Sequence, residues 1–429
     1  MSRAGDAPAN RRDAALEHVP RCRFCGAPLL HTFVDLGMSP LCQKHLRADQ
    51  LGRMEPFYPL HARVCAECFL VQLEEIVGPE EIFGDGEYAY FSSYSTSWLD
   101  HARRYVEAMC ARFGLEERDL AVELASNDGY LLQYLRARGL RVLGVEPAAN
   151  TAAVARERGI ETLVRFFGRE TATQVLARWG PARLLTANNV LAHVPDINDF
   201  VAGIAQLLAE DGVATLEFPH LMSLVEGNQF DTIYHEHFSY LSFTTVVRIL
   251  AAQGLVVFDV EELPTHGGSL RVYATRAGSL HAIALPAVEA LLRVEARAGL
   301  LGLDYYADFG ARVEATKRGL LRFLIDARTA GKRIAGYGAP GKGNTLLNYC
   351  GIRTDFLDYT VDRSPHKQGG FLPGTHIPIR APEEILRTRP DYVLILPWNL
   401  REEIMEQMSA IRSWGGRFVV PIPEVRVFE

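Results

Sequence analysis

Length, composition and charge place the chain among ordinary globular proteins and exclude two kinds of partner. Its 429 residues, 48% hydrophobic, 10% aromatic and 23% charged, predict roughly two or three domains, because one hydrophobic core seldom supports so long a chain. The net charge of −7, with no basic stripe, leaves no electrostatic footprint for nucleic acid. No apolar run approaches the roughly 20 residues of a membrane span, and the first 19 residues lack a secretory signal, so we expect a cytoplasmic protein with no membrane partner.

Two C-x-x-C pairs stand near the start of the chain, and they consist of Cys22, Cys25, Cys65 and Cys68. Each pair directs two thiolates at one point, and four thiolates suit a closed tetrahedral Zn²⁺ site that holds a small module together. We therefore predict structural zinc on these four residues. Free cysteines at coincidental spacing are the alternative. Cys42 and His45, which lie between the pairs without C-x-x-C partners, are interpreted as ordinary residues.

From residue 120 onward, segments typical of strands and helices alternate. The strands read AVELAS, RVLGVEP, ETLVRFF, ARLLTANNV and GVATLEFP, and the first helix is expected to begin at Asp128. Five such units predict a parallel, doubly wound sheet. The helix SFTTVVRILAAQG follows, with Ser242 as its N-cap and Gly254 as its end. LVVFDVEELP and SLRVYATR, joined by the turn THGG, then predict a closing antiparallel hairpin.

The remainder of the chain predicts a helical bridge over residues 280–330 and then a second, smaller α/β domain. In that domain, the glycines and Lys342 of GYGAPGKGNTLLN precede a helix and resemble a phosphate cradle. The spacing is not that of a P-loop, so a bound diphosphate fits better than ATP hydrolysis. Lys367 and Gln368 are further candidates for contacts, with an ordinary surface lysine as the alternative.

The turn after the first strand of the central sheet contains Asn127, Asp128 and Gly129, where ligands of parallel sheets collect. We interpret Gly129 as letting a ligand lie close to the backbone. Ala125 stands where the dinucleotide fingerprint would have a glycine, which weakens that interpretation. Glu146 ends the second strand, where an acid commonly accepts the ribose hydroxyls of S-adenosylmethionine (SAM) or of NAD.

Three further stretches carry candidate groups. FFG, at residues 166–168, offers an aromatic face for adenine or simply a core phenylalanine. NNVLAH, at 188–193, closes the fourth strand, and His193 is either a substrate contact or a structural histidine. YHEHFSY, at 234–240, is unusually dense in titratable groups. It is not the H-E-x-x-H metal motif, and a polar loop covering the sheet is its structural alternative.

These motifs together resemble a known family. C-x-x-C…C-x-x-C, EYAYFSSYS, ELASNDGYLL, GVEPAAN, NNVLAHVPD, EFPH, YHEHFSYLS, GGSLRVYA, GYGAPGKGNTLLN and DRSPHKQG, in this order over about residues 20–425, resemble the zinc-containing, SAM-dependent sugar C-methyltransferases that act on dTDP-linked keto-deoxysugars. The resemblance implies a zinc-binding module, a central Rossmann-like SAM domain, and a helical bridge with a C-terminal α/β domain that helps hold the sugar nucleotide, over residues 20–80, 81–280 and 281–429. We expect a monomer or homodimer.

The resemblance also assigns site residues. It places the zinc ligands on the four C-x-x-C cysteines and the catalytic base on His237, beside Tyr234, Glu236, His193 and Tyr88. The implied SAM-binding residues are Glu123, Ala125, Asn127, Asp128, Gly129, Glu146, Pro147, Phe167, Asn188 and Asn189. The implied sugar-nucleotide-binding residues are Tyr90, Tyr94, His220, Lys342, Asn344, Lys367 and Gln368. The chain departs from the family pattern at Ala125, where glycine is usual, and at Gly341, where we expect alanine.

Methyl transfer to carbon requires residues of these types. A sugar carbon becomes nucleophilic only when the proton beside a ketone is removed, which needs a base and a donor to the enolate oxygen. His237 can accept a proton near neutral pH, Glu236 could orient it or support its charged form, and tyrosine hydroxyls can bind the oxygen. We therefore expect deprotonation and methylation of a dTDP-4-keto-deoxysugar at C3. The alternatives are methylation at C5, oxygen or nitrogen, and a non-catalytic zinc-dependent scaffold that binds SAM or a sugar nucleotide.

Overall fold

The computed structural model of the chain describes residues 19–83, 88 and 90–429. Its strands are β1 His31–Ser39, β2 Tyr58–Val64, β3 Val71–Leu73, β4 Leu120–Leu124, β5 Arg141–Val145, β6 Thr162–Leu163, β7 Ala182–Asn188, β8 Leu208–Pro219, β9 Ser239–Tyr240, β10 Leu255–Leu263, β11 Ser269–Arg276, β12 Ile334–Tyr337, β13 Thr360–Val361, β14 Ile379–Arg380, β15 Tyr392–Ile395, β16 Arg417–Val420 and β17 Arg426–Phe428. Its α-helices are α1 Pro79–Phe83, α2 Thr96–Phe113, α3 Leu132–Ala137, α4 Ala149–Glu157, α5 Arg169–Trp179, α6 Ile197–Leu207, α7 Leu221–Glu226, α8 Phe243–Ala252, α9 Pro286–Ala298, α10 Asp304–Ala307, α11 Phe309–Thr329, α12 Gly341–Cys350, α13 Glu383–Thr388 and α14 Arg401–Gln407. Within the described ranges, none of these helices combines the length and the apolar character that crossing a bilayer requires.

The central sheet has the strand order β10-β11-β8-β7-β4-β5-β6. Strands β4 to β8 are parallel, and β11 runs antiparallel to both β8 and β10. The buried run LAVEL of β4 is typical of a parallel strand that is covered on both faces. The predicted doubly wound sheet and its closing hairpin are therefore confirmed. The carboxyl ends of β4, β5 and β7 meet at one edge, which is where such sheets bind ligands.

Several element boundaries differ from the predictions, and the strand predicted as GVATLEFP begins earlier, at Leu208. The first helix of this sheet begins at Leu132 rather than Asp128, because Asn127 and Gly129 have φ angles of 49° and 78°, which a right-handed helix does not allow. The predicted strand ETLVRFF shortens to Thr162–Leu163. Helix α8 is confirmed: Ser242 caps it by accepting a hydrogen bond from Thr245 N, and the chain turns away at residues 253–254.

The first sheet links the cysteine-rich segment to the central one. Its order is β1-β2-β3-β9, and all three pairings are antiparallel. Strand β9 is the end of YHEHFSY, so that motif adds the fourth strand to the sheet of the zinc-binding module, with Tyr240 opposite Val71. The domain boundaries predicted at 20–80, 81–280 and 281–429 stay predictions, because the fourth strand of this sheet comes from residues 239–240, outside the first predicted span.

The C-terminal sheet has the order β14-β13-β12-β15-β16-β17, with only β17 antiparallel. The order reverses between β12 and β15, and sheets of this kind bind ligands in a crevice at such a point, which here lies beside the loop 338–341 and the loop after β15. Helices α10 and α11 pack against β1, and their buried side chains join the core of this second α/β domain. The smaller Rossmann-like domain and its helical bridge are thus confirmed.

Gly341 has a local reason to lack a side chain. A Cβ at this first residue of α12 would lie 2.9 Å from the Sγ of Cys42, a buried side chain of the zinc-binding module. Glycine rather than the expected alanine at position 341 therefore leaves room for the Cys42 side chain where the first and last domains meet.

We predict that Gly341→Ala lowers the free energy of unfolding by about 1–3 kcal/mol through overpacking. Adding Cys42→Ala should recover part of that loss, with a coupling of about 1 kcal/mol. The matched control is Gly319→Ala in α11, where a Cβ meets nothing within 4 Å, and it should stabilise the protein by up to about 1 kcal/mol. Denaturant titration compares wild type, Gly341→Ala, Cys42→Ala, the double variant and the control, and strictly additive effects of the two substitutions would contradict the contact.

Candidate active site and zinc centre

The four C-x-x-C cysteines form one cluster, as predicted. Their sulfur atoms all lie within 4.8 Å of one another, with 3.5 Å between Cys22 and Cys68 and between Cys25 and Cys65. The side-chain amide of Gln72 donates to Cys22 Sγ at 3.1 Å, a second-layer contact that steadies a ligand. Four convergent thiolates fit a tetrahedral zinc ion, and the arrangement gives that ion a structural role with no open position.

The zinc knuckle docks beside the predicted catalytic histidine His193. Arg23 Nη1 donates to the carbonyl of Pro195 at 2.8 Å, and the Asn198 amide donates to the Phe24 carbonyl at 2.9 Å. Cys42 lies elsewhere, with its Sγ 3.5 Å from Glu236 Oε1, which supports its interpretation as a residue outside the metal cluster. The zinc-binding module therefore touches the central domain on both sides of the site.

Glu146 organises the loops at the carboxyl edge of the central sheet. Its Oε2 accepts a hydrogen bond from Asn127 N and its Oε1 accepts one from Ala148 N, both at 2.8 Å. Pro147 lies between these two contacts. Burial raises the pKa of the Glu146 carboxyl to about 7. Each oxygen keeps a further lone pair, so the group can hold the loops and still accept hydroxyls from a ribose.

Several buried polar atoms at this edge have no hydrogen-bond partner among the described residues. They belong to side chains that the sequence assigns to cofactor binding, and they are both carboxylate oxygens of Glu123, Oδ1 of Asp128, Nδ2 of Asn188 and Oδ1 of Asn189. Burial without partners is costly unless a ligand or water completes the bonds. The donors and acceptors offered here suit the hydroxyl, amino and carboxylate groups of SAM, so the edge fits that cofactor.

Other groups of the predicted cofactor set bond to protein. Asn127 Oδ1 accepts from Ser92 N at 2.9 Å, and Asp128 Oδ2 lies 3.3 Å from Arg158 Nη1 and accepts from the Ser93 hydroxyl. These two side chains therefore hold the segment 90–93 against the cofactor edge. Their roles in direct SAM contact stay predictions.

Gly129 and Ala125 have different explanations from those expected. At Gly129, φ is 78° and a Cβ would lie 3.1 Å from Ile160, so packing and backbone conformation already favour glycine, and the close approach of a ligand stays a prediction. Ala125 has a φ of 52°, a region where glycine is unstrained, which explains why the family favours glycine there. Phe167 packs edge-on against Phe200 at 5.5 Å, matching the core alternative for that aromatic residue.

The predicted catalytic residues come together around His237. Its ring centroid lies 4.0 Å from that of Tyr234 and 4.6 Å from that of His193. The ring of Phe83 stands 5.8 Å from His193 and 5.5 Å from Tyr88, so Tyr88 joins the same cluster through one aromatic neighbour. The structure thus brings near one another four predicted catalytic side chains that lie up to 149 residues apart in the sequence.

The hydrogen bonding of His237 determines its tautomer. Nδ1 lies 2.8 Å from the carbonyl oxygen of Thr232, and because that oxygen can only accept, Nδ1 carries the proton. Burial, reinforced by His193, holds the pKa of His237 well below its ordinary value of 6.5. The ring is therefore neutral near pH 7, and its Nε2 bears the lone pair. This nitrogen can accept a proton.

The neighbouring groups are held in complementary protonation states. Burial lowers the pKa of His193 to about 4, and it raises the pKa values of Tyr88 and Tyr234 well above 10. Both phenols therefore keep their protons and can donate hydrogen bonds to a developing negative charge. Burial raises the pKa of Glu236 to about 7. The cluster offers neutral acceptors and donors in a water-poor setting.

Glu236 contacts a different residue from the one expected. Its Oε1 meets the Cys42 thiol, while the Thr232 carbonyl orients His237. The expectation that Glu236 orients the base is therefore wrong in this structure. Sequence inspection missed Thr232, since a backbone carbonyl leaves no mark in residue type, and it set Cys42 aside as ordinary. The sequence shows only that Cys42 lies between the two C-x-x-C pairs, and this position is the one signal that could have drawn attention to it.

The predicted sugar-nucleotide residues divide into two groups. Around the crevice of the C-terminal sheet, Lys342 Nζ donates to Asn399 at 2.8 Å, Lys367 Nζ donates to the Ala339 carbonyl at 2.9 Å, and Gln368 donates to the Asp362 carbonyl at 2.9 Å. Asn344, on the first turn of α12, is fully buried and neither of its amide atoms has a partner in the described part of the chain. Lys367 thus contacts the loop before α12, and the roles of all four residues in binding a sugar nucleotide stay predictions.

The other three predicted residues lie differently. Tyr90 is exposed, as is Tyr94, whose hydroxyl lies 3.0 Å from His366 Nε2 beside the cradle. His220 Nε2 lies 2.7 Å from Glu295, whose carboxylate also accepts from the first backbone amides of α8. This pair gives His220 a structural role at the start of a helix, and its role in substrate binding stays a prediction.

Comparisons with known proteins define the class of protein. Family models match in sequence order, namely a zinc-binding domain at 22–83, a methyltransferase domain at 98–260 and a C-methyltransferase C-terminal domain at 264–423. The chain is a SAM-dependent methyltransferase with a zinc-binding module. It is 39% identical to C-methyltransferase NovU of Streptomyces niveus over 412 residues, which covers 95% of this chain and 97% of that one. The chain belongs to this family of C-methyltransferases.

Solved structures overlay on part of the chain. A SAM-dependent methyltransferase from Clostridium acetobutylicum is 13% identical with a TM-score of 0.33, over 41% of this chain and 91% of that one. Magnesium protoporphyrin IX methyltransferase from Synechocystis with bound SAM is 17% identical with a TM-score of 0.32, over 46% of this chain and 89% of that one.

We predict that Cys68→Ser removes the zinc, about one ion per chain, and lowers methyl transfer on the order of 10²-fold. The physical reason is that β9, at the end of YHEHFSY, pairs with β3 of the zinc-stabilised sheet, so loosening the module displaces the catalytic loop. SAM affinity should change little, because the cofactor edge belongs to the central sheet. Metal analysis, calorimetry with SAM and turnover provide the measurements.

The control for this prediction is Cys110→Ser in α2, a half-buried cysteine outside the cluster, which should keep both zinc and activity. Full turnover by a zinc-free Cys68→Ser protein would contradict the link between the module and the catalytic loop.

Proposed function

We propose that the protein methylates carbon C3 of a dTDP-linked 4-keto-deoxysugar, with His237 as the base. The single observation that supports this most strongly is the hydrogen bond from His237 Nδ1 to the Thr232 carbonyl, which leaves Nε2 free to accept a proton. Transfer to oxygen or nitrogen uses an acceptor that already has a lone pair. Removing a proton from carbon requires a base and hydrogen-bond donors to the enolate oxygen, and a buried neutral imidazole beside two protonated phenols supplies both.

In the proposed reaction, Nε2 of His237 takes the proton from the carbon beside the ketone. The electron pair of the broken C–H bond forms the C=C bond of the enolate while the π pair of the carbonyl moves to its oxygen, which receives hydrogen bonds from Tyr234 and Tyr88. When bound, SAM supplies the electrophilic methyl group that the enolate carbon takes up, and it leaves as S-adenosylhomocysteine. The imidazolium then returns its proton to solvent. His193, neutral and edge-on to His237, completes the wall of this pocket.

The sugar nucleotide is proposed to lie in the crevice of the C-terminal sheet, with its diphosphate at the first turn of α12. Lys342 supplies the positive charge there, and burial lowers its pKa while Asp231 opposes that effect. Asn344 offers amide atoms without partners. The sugar ring then extends toward YHEHFSY, because Thr345 of α12 donates to the Ile233 carbonyl next to that motif at 3.1 Å.

Methylation at C5, the other carbon beside the ketone, is the closest rival, and transfer to oxygen or nitrogen is a more distant one. The same enolate chemistry applies to C5. A base beside the substrate therefore favours a carbon acceptor over oxygen or nitrogen, and it supports C3 and C5 equally.

We predict that the wild-type protein exchanges the C3 hydrogen of a dTDP-4-keto-deoxysugar with deuterium from solvent when SAM is absent. His237→Gln should lower the exchange rate roughly 10²- to 10⁴-fold, the usual contribution of a general base. The matched control is His235→Gln, since His235 lies in the same loop but its Nε2 meets the Pro59 carbonyl at 3.1 Å. It should retain most of the exchange.

Proton NMR of the recovered sugar identifies which carbon has exchanged. Exchange at C5 alone would move the assignment to that carbon. Methyl transfer without exchange at either carbon, or equal exchange by wild type and His237→Gln, would refute the proposal.

A further inference from the structure

The carbonyl that orients His237 belongs to a short turn with unusual anchors. Thr232 ends the one-turn 3₁₀ segment Phe230–Thr232, and its neighbour Asp231 is fully buried. Asp231 Oδ2 accepts a hydrogen bond from the indole Nε1 of Trp398 at 2.7 Å. Trp398 follows β15 in the C-terminal domain. The turn that fixes the tautomer of the base is therefore tied to a different domain from its own.

Trp398 is itself held on several sides. The Nζ of Lys342 lies 4.7 Å from the centroid of its ring and also bonds to Asn399. On another side, a Cβ at Gly267 in the β10–β11 turn would lie 2.6 Å from the indole, so the backbone of that turn packs directly on the ring. The indole is thus contacted from two sides, and its N–H points at Asp231. A donor that is held by packing in this way fixes the position of the group that accepts its hydrogen bond.

The residue that connects to Trp398 is also one proposed to bind substrate. Lys342 sits on the face of the indole, and the indole bonds to the turn that bonds to His237. A diphosphate at Lys342 and a proton acceptor at His237 therefore share one intermediate side chain. A hydrogen bond that only stabilised the contact between domains could lie anywhere on that contact, whereas the bond from Trp398 to Asp231 lies between Lys342 and the turn that bonds to His237.

We propose that Trp398 and Asp231 are positioning residues for the base. Through their hydrogen bond, the C-terminal domain holds the turn 230–232 so that the Thr232 carbonyl keeps the proton on Nδ1 of His237 and leaves Nε2 toward the substrate. This inference rests on the proposed function for the role of His237. Neither residue touches the reacting atoms.

Trp398→Phe tests the proposal, because it removes the indole N–H and keeps an aromatic ring for Lys342. We expect kcat to fall roughly 10- to 100-fold, as for a small displacement of a catalytic group, while KM for the sugar nucleotide changes less than about threefold. Nitrogen NMR of protein labelled at histidine, with the His237 signal assigned by its loss in His237→Gln, should change from a pure Nδ1–H tautomer to a mixture.

The matched control is Trp414→Phe in the same domain, where the indole N–H bonds to the Pro390 carbonyl at 3.0 Å. It removes an equivalent hydrogen bond away from the turn and should leave kcat and the His237 signal unchanged. A purely structural role for Trp398 would lower thermal stability in both variants alike without altering the tautomer.

A second pair of variants guards against misfolding. Asp231→Asn keeps an oxygen acceptor for the indole and should retain most of kcat and the tautomer, whereas Asp231→Leu, similar in volume, should lose both. An unchanged His237 signal and unchanged kcat in Trp398→Phe and Asp231→Leu would overturn the proposal. The tautomer is read from the spectrum without substrate, so a failure of the proposed reaction would leave this readout intact and distinguishable.

Discussion

One hydrogen bond, from Nδ1 of His237 to the carbonyl oxygen of Thr232, determines what the active site can do. A neutral imidazole has one proton for two nitrogens, and a backbone carbonyl, which can only accept, forces that proton onto Nδ1. The lone pair is then on Nε2. Burial keeps the ring uncharged, because the imidazolium would lose most of its hydration. The proposed base is thus uncharged at neutral pH, and its Nδ1 is held without a carboxylate partner.

This arrangement depends on all three parts of the chain. The zinc-binding module contributes β3, which pairs with β9 at the end of the catalytic loop, and Cys42, which meets Glu236. The central sheet contributes the cofactor edge and His193. The C-terminal domain contributes Trp398, whose indole holds the turn before the loop. Assembly from separate units explains why a methyltransferase of this class carries a metal site whose role is structural rather than chemical.

The sequence predicted the architecture well, because its signals are local. Alternating strands and helices, the hairpin after the fifth unit and the two C-x-x-C pairs each depend on residues close in the chain, and the structure has them all. The identity of the clustered residues around His237 came from the family resemblance. What the sequence could not show were the contacts between distant segments. The Thr232 carbonyl has no residue signature, and the pairing of Cys42 with Gly341 appears only when α12 and the zinc-binding module are in contact.

The most direct test of the neutral base is the pH dependence of α-hydrogen exchange in the substrate, measured without SAM and normalised to the folded fraction. A base with a pKa held well below 6.5 stays unprotonated as the pH falls, so we predict a level rate from about pH 8 through 6.5 and a decline only below that value. A rate that is already halved at or above pH 6.5 would mean that the imidazole is solvated or paired with an acid, and it would contradict the account.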